Sequence, residues 1–315
     1  MNWIGYNLHI TLRHPESAVV TTANPATRNA PPRRVILLHT PLLRASASLA
    51  EQIAERLAAW HVEAQIGSIE ADQVDRQVAN ADMLIALGGD GMMLHAGCVA
   101  AQHDTPVLGV NLGRLGFLAE VQPEEWPDVL ARVVAGDYWL ERRMMLRATL
   151  ERDEAPLCSV DVLNEVFVGR GMTGRPVRVE ARIDGGLFLN YISDGVIVAT
   201  PTGSTAYALA AGGPILPPEL KNILMVAVAP HLIIDRPVVL DEGTTVDLRV
   251  ASEHAMLSAD GREPILLQYG DRVRVQASPH TCQFVRVQPK SYFYRTLMAR
   301  MTQNPAAQIE TNPNQ

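Results

Sequence analysis

Met83-Leu84-Ile85-Ala86-Leu87-Gly88-Gly89-Asp90-Gly91 decides how this chain is read: an apolar run that stops at three glycines set around one aspartate. Consecutive apolar residues closed by a turn signal describe a strand buried on both faces, and helical sequence from Met92 to Ala101 follows at once. Glycines let a backbone approach a phosphate and aim N–H groups at it, and a helix start adds partial positive charge. A carboxylate there repels a phosphate unless a cation or a proton-bearing nucleophile stands beside it. Asp90 therefore reads as a general base or a Mg2+ ligand, and the plain alternative is a turn residue or helix cap.

Outward from this point, Val35-Ile36-Leu37-Leu38 and Pro106-Val107-Leu108-Gly109-Val110 read as two more buried strands. Leu49, Ile53, Leu57 and Trp60 mark an amphipathic helix, with Ser48 and Glu51 placed as a capping box. With a further helix over 124–134, the alternation predicts an α/β domain with a parallel, Rossmann-like sheet over residues 34–136. After Tyr138 come short alternating segments and turns at Asp184-Gly185, Asp260-Gly261 and Gly270-Asp271, each expected to close a hairpin. Residues 137–289 are thus expected to form a mostly-β domain with one Gly/Ala-rich helix after residue 203. A closing helix is expected over 290–301, with a flexible lead-in at 1–33 and a flexible tail at 302–315.

Bulk properties narrow the function. The 315 residues are 47% apolar and 19% charged, a globular balance, and exceed the length at which one core usually stops growing. A net charge of −7 argues against a nucleic-acid or anionic-membrane surface, which calls for a basic face. Cys98, Cys158 and Cys282 form neither a CxxC pair nor a zinc spacing, so reduced, buried thiols in a reducing compartment are expected. No apolar run reaches about 18 residues, and Met1 to Leu12 lacks a signal-peptide layout. A cytoplasmic protein is expected, and the missing GxxxxGK[ST] excludes a P-loop enzyme.

Three more segments carry chemistry. Asn111-Leu112-Gly113-Arg114-Leu115-Gly116-Phe117-Leu118 follows the third strand, at the sheet edge where α/β folds bind ligands. Asn164-Glu165 reads as lying inside an apolar strand, whose adjacent side chains face opposite ways, so at least one meets a ligand or a buried partner. Asp194-Gly195-Val196-Ile197-Val198-Ala199-Thr200-Pro201-Thr202-Gly203-Ser204-Thr205-Ala206-Tyr207, continuing to Ala211-Gly212-Gly213-Pro214, offers hydroxyls and free N–H groups at a helix start.

Together with Gly88 to Gly91, these segments resemble the NAD kinase family over roughly residues 34–300. The resemblance implies that family's two-domain architecture and transfer of a phosphoryl group from ATP, or another polyphosphate donor, to the 2′-hydroxyl of the adenosine ribose of NAD, giving NADP. It implies Mg2+ as the divalent metal and a homo-oligomer, dimer or tetramer. Residue by residue it implies Asp90 as catalytic residue and metal ligand, and Gly88, Gly89 and Gly91 as the donor phosphate loop. It implies NAD contacts from Asp90, Gly91, His95, Phe117, Asn164, Glu165 and Asp194, and from Thr205, Ala206, Tyr207, Ala208, Leu209 and Ala210. Without the resemblance, Phe117 reads equally as a core residue and His95 as a structural helix histidine. Leu257-Ser258-Ala259-Asp260-Gly261 and Tyr292-Phe293 match late family motifs.

Two residues depart from the pattern. Ile192 stands where members carry Arg or a small residue, a position associated with the choice between NAD and NADH. Arg262 stands where many carry Gln or Asn after the Asp-Gly pair. Lipid kinases share the GGDG turn but place an Asn-Glu pair within a few residues of it, and sugar kinases of the phosphofructokinase type need an Asp-Asn-Asp-like motif that is missing here. A non-catalytic dinucleotide-binding regulator on the same fold would leave Asp90 unexplained, and an assay of NADP formation from NAD, ATP and Mg2+ separates it from an enzyme.

Overall fold

A computed structural model describes residues 29–41, 43–69, 73–113, 116–171, 175–231, 236–294 and 297. Its first part runs β1 (Arg34–His39), α1 (Arg44–Ala59), β2 (Glu63–Ser68), α2 (Val74–Ala79), β3 (Met83–Gly88), α3 (Asp90–Ala101), β4 (Val107–Asn111) and α4 (Trp126–Val134). These four strands pair in parallel in the order β2-β1-β3-β4. All six residues of β3 are buried because helices cover both faces. Leu49, Ile53 and Leu57 of α1 and Leu130 and Val133 of α4 pack on one side; Val74 and Val78 of α2 and Met93 and Ala96 of α3 pack on the other. The chain leaves β1 toward one edge and β3 toward the other. The carboxyl ends of these strands therefore open a crevice, the usual ligand position in such sheets, and the turn at Gly88 to Gly91 lies there.

β2 and α2 were not expected from the sequence. β2 is an edge strand with mostly exposed or half-buried residues, and α2 has only six residues, so neither prints a clear period. The capping box at Ser48 and Glu51 does not form. α1 begins at Arg44, which puts Ser48 inside the helix, and the buried Ser46 hydroxyl instead donates to the Thr40 and Leu43 carbonyls at 2.9 and 2.6 Å. No large apolar side chain marks that first turn, so the period becomes visible only at Leu49.

The rest of the chain runs β5 (Trp139–Arg152), β6 (Ala155–Val162), β7 (Glu165–Arg170), β8 (Val177–Ile183), β9 (Gly186–Ser193), β10 (Gly195–Ala199), a 3-10 turn (Gly203–Thr205), α5 (Tyr207–Ala210), β11 (Asn222–Val228), β12 (Val238–Asp241), β13 (Val246–Val250), β14 (Ala255–Ala259), β15 (Ile265–Leu267) and β16 (Arg272–Arg286). One antiparallel sheet has the order β12-β11-β10-β7-β14-β15, and the remaining strands continue the first sheet. The link is β16. It runs antiparallel to β5 along its length, pairs with β13 near its start, and at Phe284 pairs in parallel with Val107 of β4. The two sheets close on a core that includes Leu146, Val162, Val198, Met225, Leu248 and Val275.

Asp184-Gly185 and Asp260-Gly261 lead between antiparallel partners, β8 to β9 and β14 to β15. Gly270-Asp271 does not close a hairpin. β15 and β16 belong to different sheets, and the turn is a corner in which the Asp271 carboxylate accepts the Gln268 N–H and both Arg152 guanidinium N–H groups, each at 2.8 Å. The helix expected after residue 203 shrinks to a 3-10 turn and the four residues of α5, because Gly212, with φ +85°, and Pro214 end it. Cys98 and Cys282 are buried but Cys158 is exposed, and all three are free. Cys158 lies on β6, which among the described residues pairs only with β5. Within the expected lead-in, the Asn29 N–H donates to the Gly136 carbonyl at 3.1 Å and the Tyr138 hydroxyl to the Ala30 carbonyl at 3.2 Å. Residues 292–294 begin a helix. Most of its expected continuation, the tail at 302–315 and residues 1–28 lie outside the described residues.

Candidate active site

Asp90 is the first residue of α3, after the extended Gly89, and no side chain caps this helix start. A Cβ built on Gly89 or Gly91 would meet nothing within 4 Å. Nothing inside the fold requires glycine at these two places. Bare backbone beside uncapped helix N–H groups forms an open floor suited to phosphate oxygens.

The Asp90 carboxylate reaches across to the segment after β4, accepting the Phe117 N–H at 2.8 Å on Oδ2 and the Leu118 N–H at 3.1 Å on Oδ1. Gly116 makes this contact possible, since a Cβ there would stand 2.1 Å from Oδ1. The first two motifs are therefore one object, a helix start and a loop joined by one carboxylate. Asn111 closes the near end of that loop, its Oδ1 accepting the Gly113 N–H at 3.2 Å.

The third and fourth motifs interlock in the same way. Asn164 is not inside a strand; it occupies the bend where the chain leaves β6 in one sheet and enters β7 in the other. Asp260 holds the bend open, accepting the N–H groups of Leu163, Asn164 and Glu165 at 2.7, 2.8 and 3.0 Å. Against it, the Thr200 N–H donates to the Asn164 carbonyl at 2.8 Å, the Thr200 hydroxyl to the Leu163 carbonyl at 2.6 Å, and the Gly203 N–H to the Thr200 hydroxyl at 3.1 Å. Asn164 and Glu165 are thereby docked against the turn that leads into Thr205 and Ala206, and all four are half-buried.

A buried charge network ties the two pairs together. Arg286 donates to the Leu118 carbonyl at 2.8 Å and to Glu141 at 2.8 and 2.7 Å. Arg143 donates to Glu141 at 2.8 Å and to the Thr202 hydroxyl at 3.2 Å. Burial alone would raise the Glu141 carboxyl, but the two guanidinium charges outweigh it and bring it down to about 2. The path from Asp90 through Leu118, Arg286, Glu141 and Arg143 to Thr202 crosses between the two halves of the chain. Sequence reasoning missed this network and the anchoring role of Asp260. The available signal was Glu141 and Arg143, opposite charges two residues apart and so on one face of a strand, and Arg286 set between Val285 and Val287.

Glu165, beside Asn164 at the bend, is strongly perturbed. Burial, and then the nearby charge of Asp260, push its carboxyl up to about 7. Its Oε2 is buried with no hydrogen-bond partner among the described residues, so it can meet a donor such as a ribose hydroxyl. Tyr207 is exposed and packs edge-on against Phe167 with ring centroids 5.4 Å apart; Leu209 and Ala210 follow on the same short helix. Ala208 differs from expectation. It is fully buried with Ile197, Ala199, Leu224 and Val226, so its side chain offers no surface to a ligand. Phe117 is half-buried, with its backbone N–H on Asp90. His95 lies at the surface of α3, where the surrounding protein and then the charge of Arg262 lower its imidazole pKa. Asp194 stands apart. It precedes β10, whose far end at Ala199 pairs with Glu165, about 16 Å away at the usual rise per strand residue, and it faces Arg170 at 3.3 Å.

Two family models match the chain, the ATP-NAD kinase N-terminal domain over residues 35–138 and the ATP-NAD kinase C-terminal domain over residues 163–287. The NAD kinase of Chloroflexus aggregans is 42% identical over 270 residues, 85% of this chain and 98% of that protein. The NAD kinase of Heliobacterium modesticaldum is 43% identical over 224 residues, 70% of this chain and 79% of that one. Among solved structures, yeast NADH kinase complexed with NADH superposes with a TM-score of 0.74 at 25% identity, covering 87% of this chain and 89% of that one. An NAD kinase from Archaeoglobus fulgidus in complex with ATP gives 0.67 at 25% identity, covering 85% and 98%.

Proposed function

This chain belongs to the NAD kinase family and phosphorylates NAD using ATP, and on that premise we propose that Asp90 is the group that takes the acceptor's proton. The observation that carries the reading is the place of its carboxylate, at an uncapped helix start and held by the Phe117 and Leu118 N–H groups. In the reaction the 2′-oxygen of the adenosine ribose bonds to the γ-phosphorus of ATP, the bond from that phosphorus to the bridging oxygen breaks, and ADP and a proton leave. A carboxylate is a weak base toward a ground-state alcohol. The proton therefore moves late, as the new bond to phosphorus forms, and Asp90 receives it. Most of the acceleration then comes from positioning and from charge stabilisation by the Gly88, Gly89 and Gly91 backbone and the start of α3.

NAD is proposed to lie against Asn164, Glu165, Thr205, Ala206 and Tyr207, with Phe117 against the nucleotide and Gly91, His95, Leu209, Ala210 and Asp194 as further contacts. Mg2+ is the proposed metal. Among the described residues no three His, Cys, Asp or Glu side chains are placed to hold an ion, which fits a cation carried mainly by substrate phosphates, water and one or two carboxylates; Asp90 is the carboxylate at hand. When bound, such an ion neutralises phosphate charge. We place the protein in the cytoplasm, in keeping with three free cysteines; no helix among the described residues is long and apolar enough to cross a membrane. A homo-oligomer is proposed from the exposed Leu187, Phe188 and Ile192 of the edge strand β9, and solution mass checks it. Ile192 is the position proposed to set preference between NAD and NADH.

The test is Asp90→Asn. Turnover should fall on the order of 10²–10⁴-fold with NAD binding largely kept, because Asn still offers an acceptor to one of the two loop N–H groups. NADP formation by the purified variant at the wild-type rate would overturn the assignment. The same coupled assay, run with ATP and inorganic polyphosphate and with NAD and NADH, reads the donor range and redox preference.

A further inference from the structure

His95, Cys98 and Gln102 recur on α3 and its cap at spacings of three and four, so they share one face of the helix that begins at Asp90. Along that face lies a cavity of about 290 Å³ walled by Gln102, Arg147, Ser159, Asp161, Arg262 and His280. It has room for several waters at about 30 Å³ each, or for a phosphate-bearing group. Its carboxylates are already committed. Asp161 accepts both Nε and Nη2 of Arg147 at 2.8 Å, and Asp260 is occupied by three backbone N–H groups. Arg262 is different: its guanidinium pairs with no carboxylate among the described residues, and its charge is felt at His95, Cys98 and Asp260.

An unpaired guanidinium fork at a polar cavity, with an amide and an imidazole beside it, matches the oxygens of a phosphate better than any neutral ligand. We propose that this cavity is a phosphate subsite in which Arg262, helped by Gln102 and His280, grips a phosphate-bearing ligand, either the phosphate chain of the triphosphate donor or a free phosphate species. Only the donor source rests on the kinase reading above; the site itself rests on the cavity and on Arg262.

Titration calorimetry of inorganic tripolyphosphate into the full chain tests it. Wild type should bind, the affinity should fall about tenfold or more in Arg262→Gln and recover in part in Arg262→Lys, and binding should weaken with added salt. Arg262 is exposed, so unchanged melting temperatures should confirm that both variants fold. If the ligand is the donor, KM for ATP rises by a similar factor in Arg262→Gln while KM for NAD stays within about twofold. If KM for ATP does not move while tripolyphosphate still depends on Arg262, the ligand is a separate phosphate species and the subsite stands. No binding to wild type, or equal binding to wild type and Arg262→Gln, overturns the proposal. Failure of the Asp90 assignment would appear instead as wild-type turnover in Asp90→Asn, which this titration does not use.

Discussion

At the scale of single residues, Gly116 and Glu165 carry the strongest constraints. Any side chain at Gly116 must displace Asp90 or the loop it holds, since even a Cβ would stand 2.1 Å from the carboxylate oxygen. Misplacing a reacting group by about 1 Å can cost on the order of 10²-fold. Gly116→Ala should lose turnover on that scale with NAD affinity largely kept, and wild-type kcat would show that the Asp90-to-loop contact is dispensable. Glu165 has a pH signature. Its carboxyl stands near 7 in the fold against an ordinary 4.5, so between those values the folded state holds a proton the unfolded chain has lost. The stability contributed by the neutral acid is full below about pH 4.5 and is lost as pH rises through about 7. Glu165→Gln, a mimic of the neutral form, should match wild type near pH 4 and exceed it at pH 8 by up to roughly 3 kcal/mol in urea unfolding. An equal difference at both pH values would show that Glu165 does not carry the shift. The chemistry of both residues was partly legible: Gly116 belongs to a recognisable motif and Glu165 to an odd polar pair. That Gly116 faces Asp90, and that Glu165 is buried next to Asp260, was not, because each contact joins segments far apart in sequence.

At the scale of elements, the site depends on irregular pieces held against one another. A Cβ on Gly203 would stand 2.2 Å from the Asn164 carbonyl oxygen, a clash of backbone with side chain that no rotamer relieves. Gly203→Ala should destabilise the protein by about 2 kcal/mol or more and weaken NAD binding, because the bend at Asn164 and the turn after Thr200 can no longer dock. A variant with unchanged melting temperature and NAD affinity would contradict that docking. The sequence reading misplaced elements at the same points: Asn164 was expected inside a strand and a longer helix was expected after residue 203. Local preference favours both, since apolar residues flank Asn164 and small residues follow Gly203. The three N–H bonds to Asp260 and the stop at Gly212 to Pro214 overrule them.

At the scale of the whole molecule, the last strand binds the two halves into one fold. Phe284, Val285 and Val287, from the end of β16 and just beyond it, are buried in the two cores that flank the parallel sheet, and Arg286 between them joins the charge network at the site. A fragment of residues 29–140 should therefore fail to fold alone, with no cooperative urea transition and a poorly dispersed amide spectrum. A cooperative transition with the slope of a small domain would show that the parallel sheet does not need β16. The sequence by itself determined the class of the first sheet, the β-rich character of the second half of the chain, and the motifs that make this a kinase of NAD, because each is written in contiguous residues whose period or turn chemistry is local. Only the tertiary structure decided that a strand from the end of the chain completes the first domain's cores, that Asp260 shapes the Asn164 bend, and that Glu141 joins Arg143 to Arg286 between the two halves of the site. The pairings of β4 with β16, of Asp260 with the bend and of Glu141 with Arg286 join segments far apart in sequence, and a charge or a strand carries no local mark of the distant partner that will satisfy it.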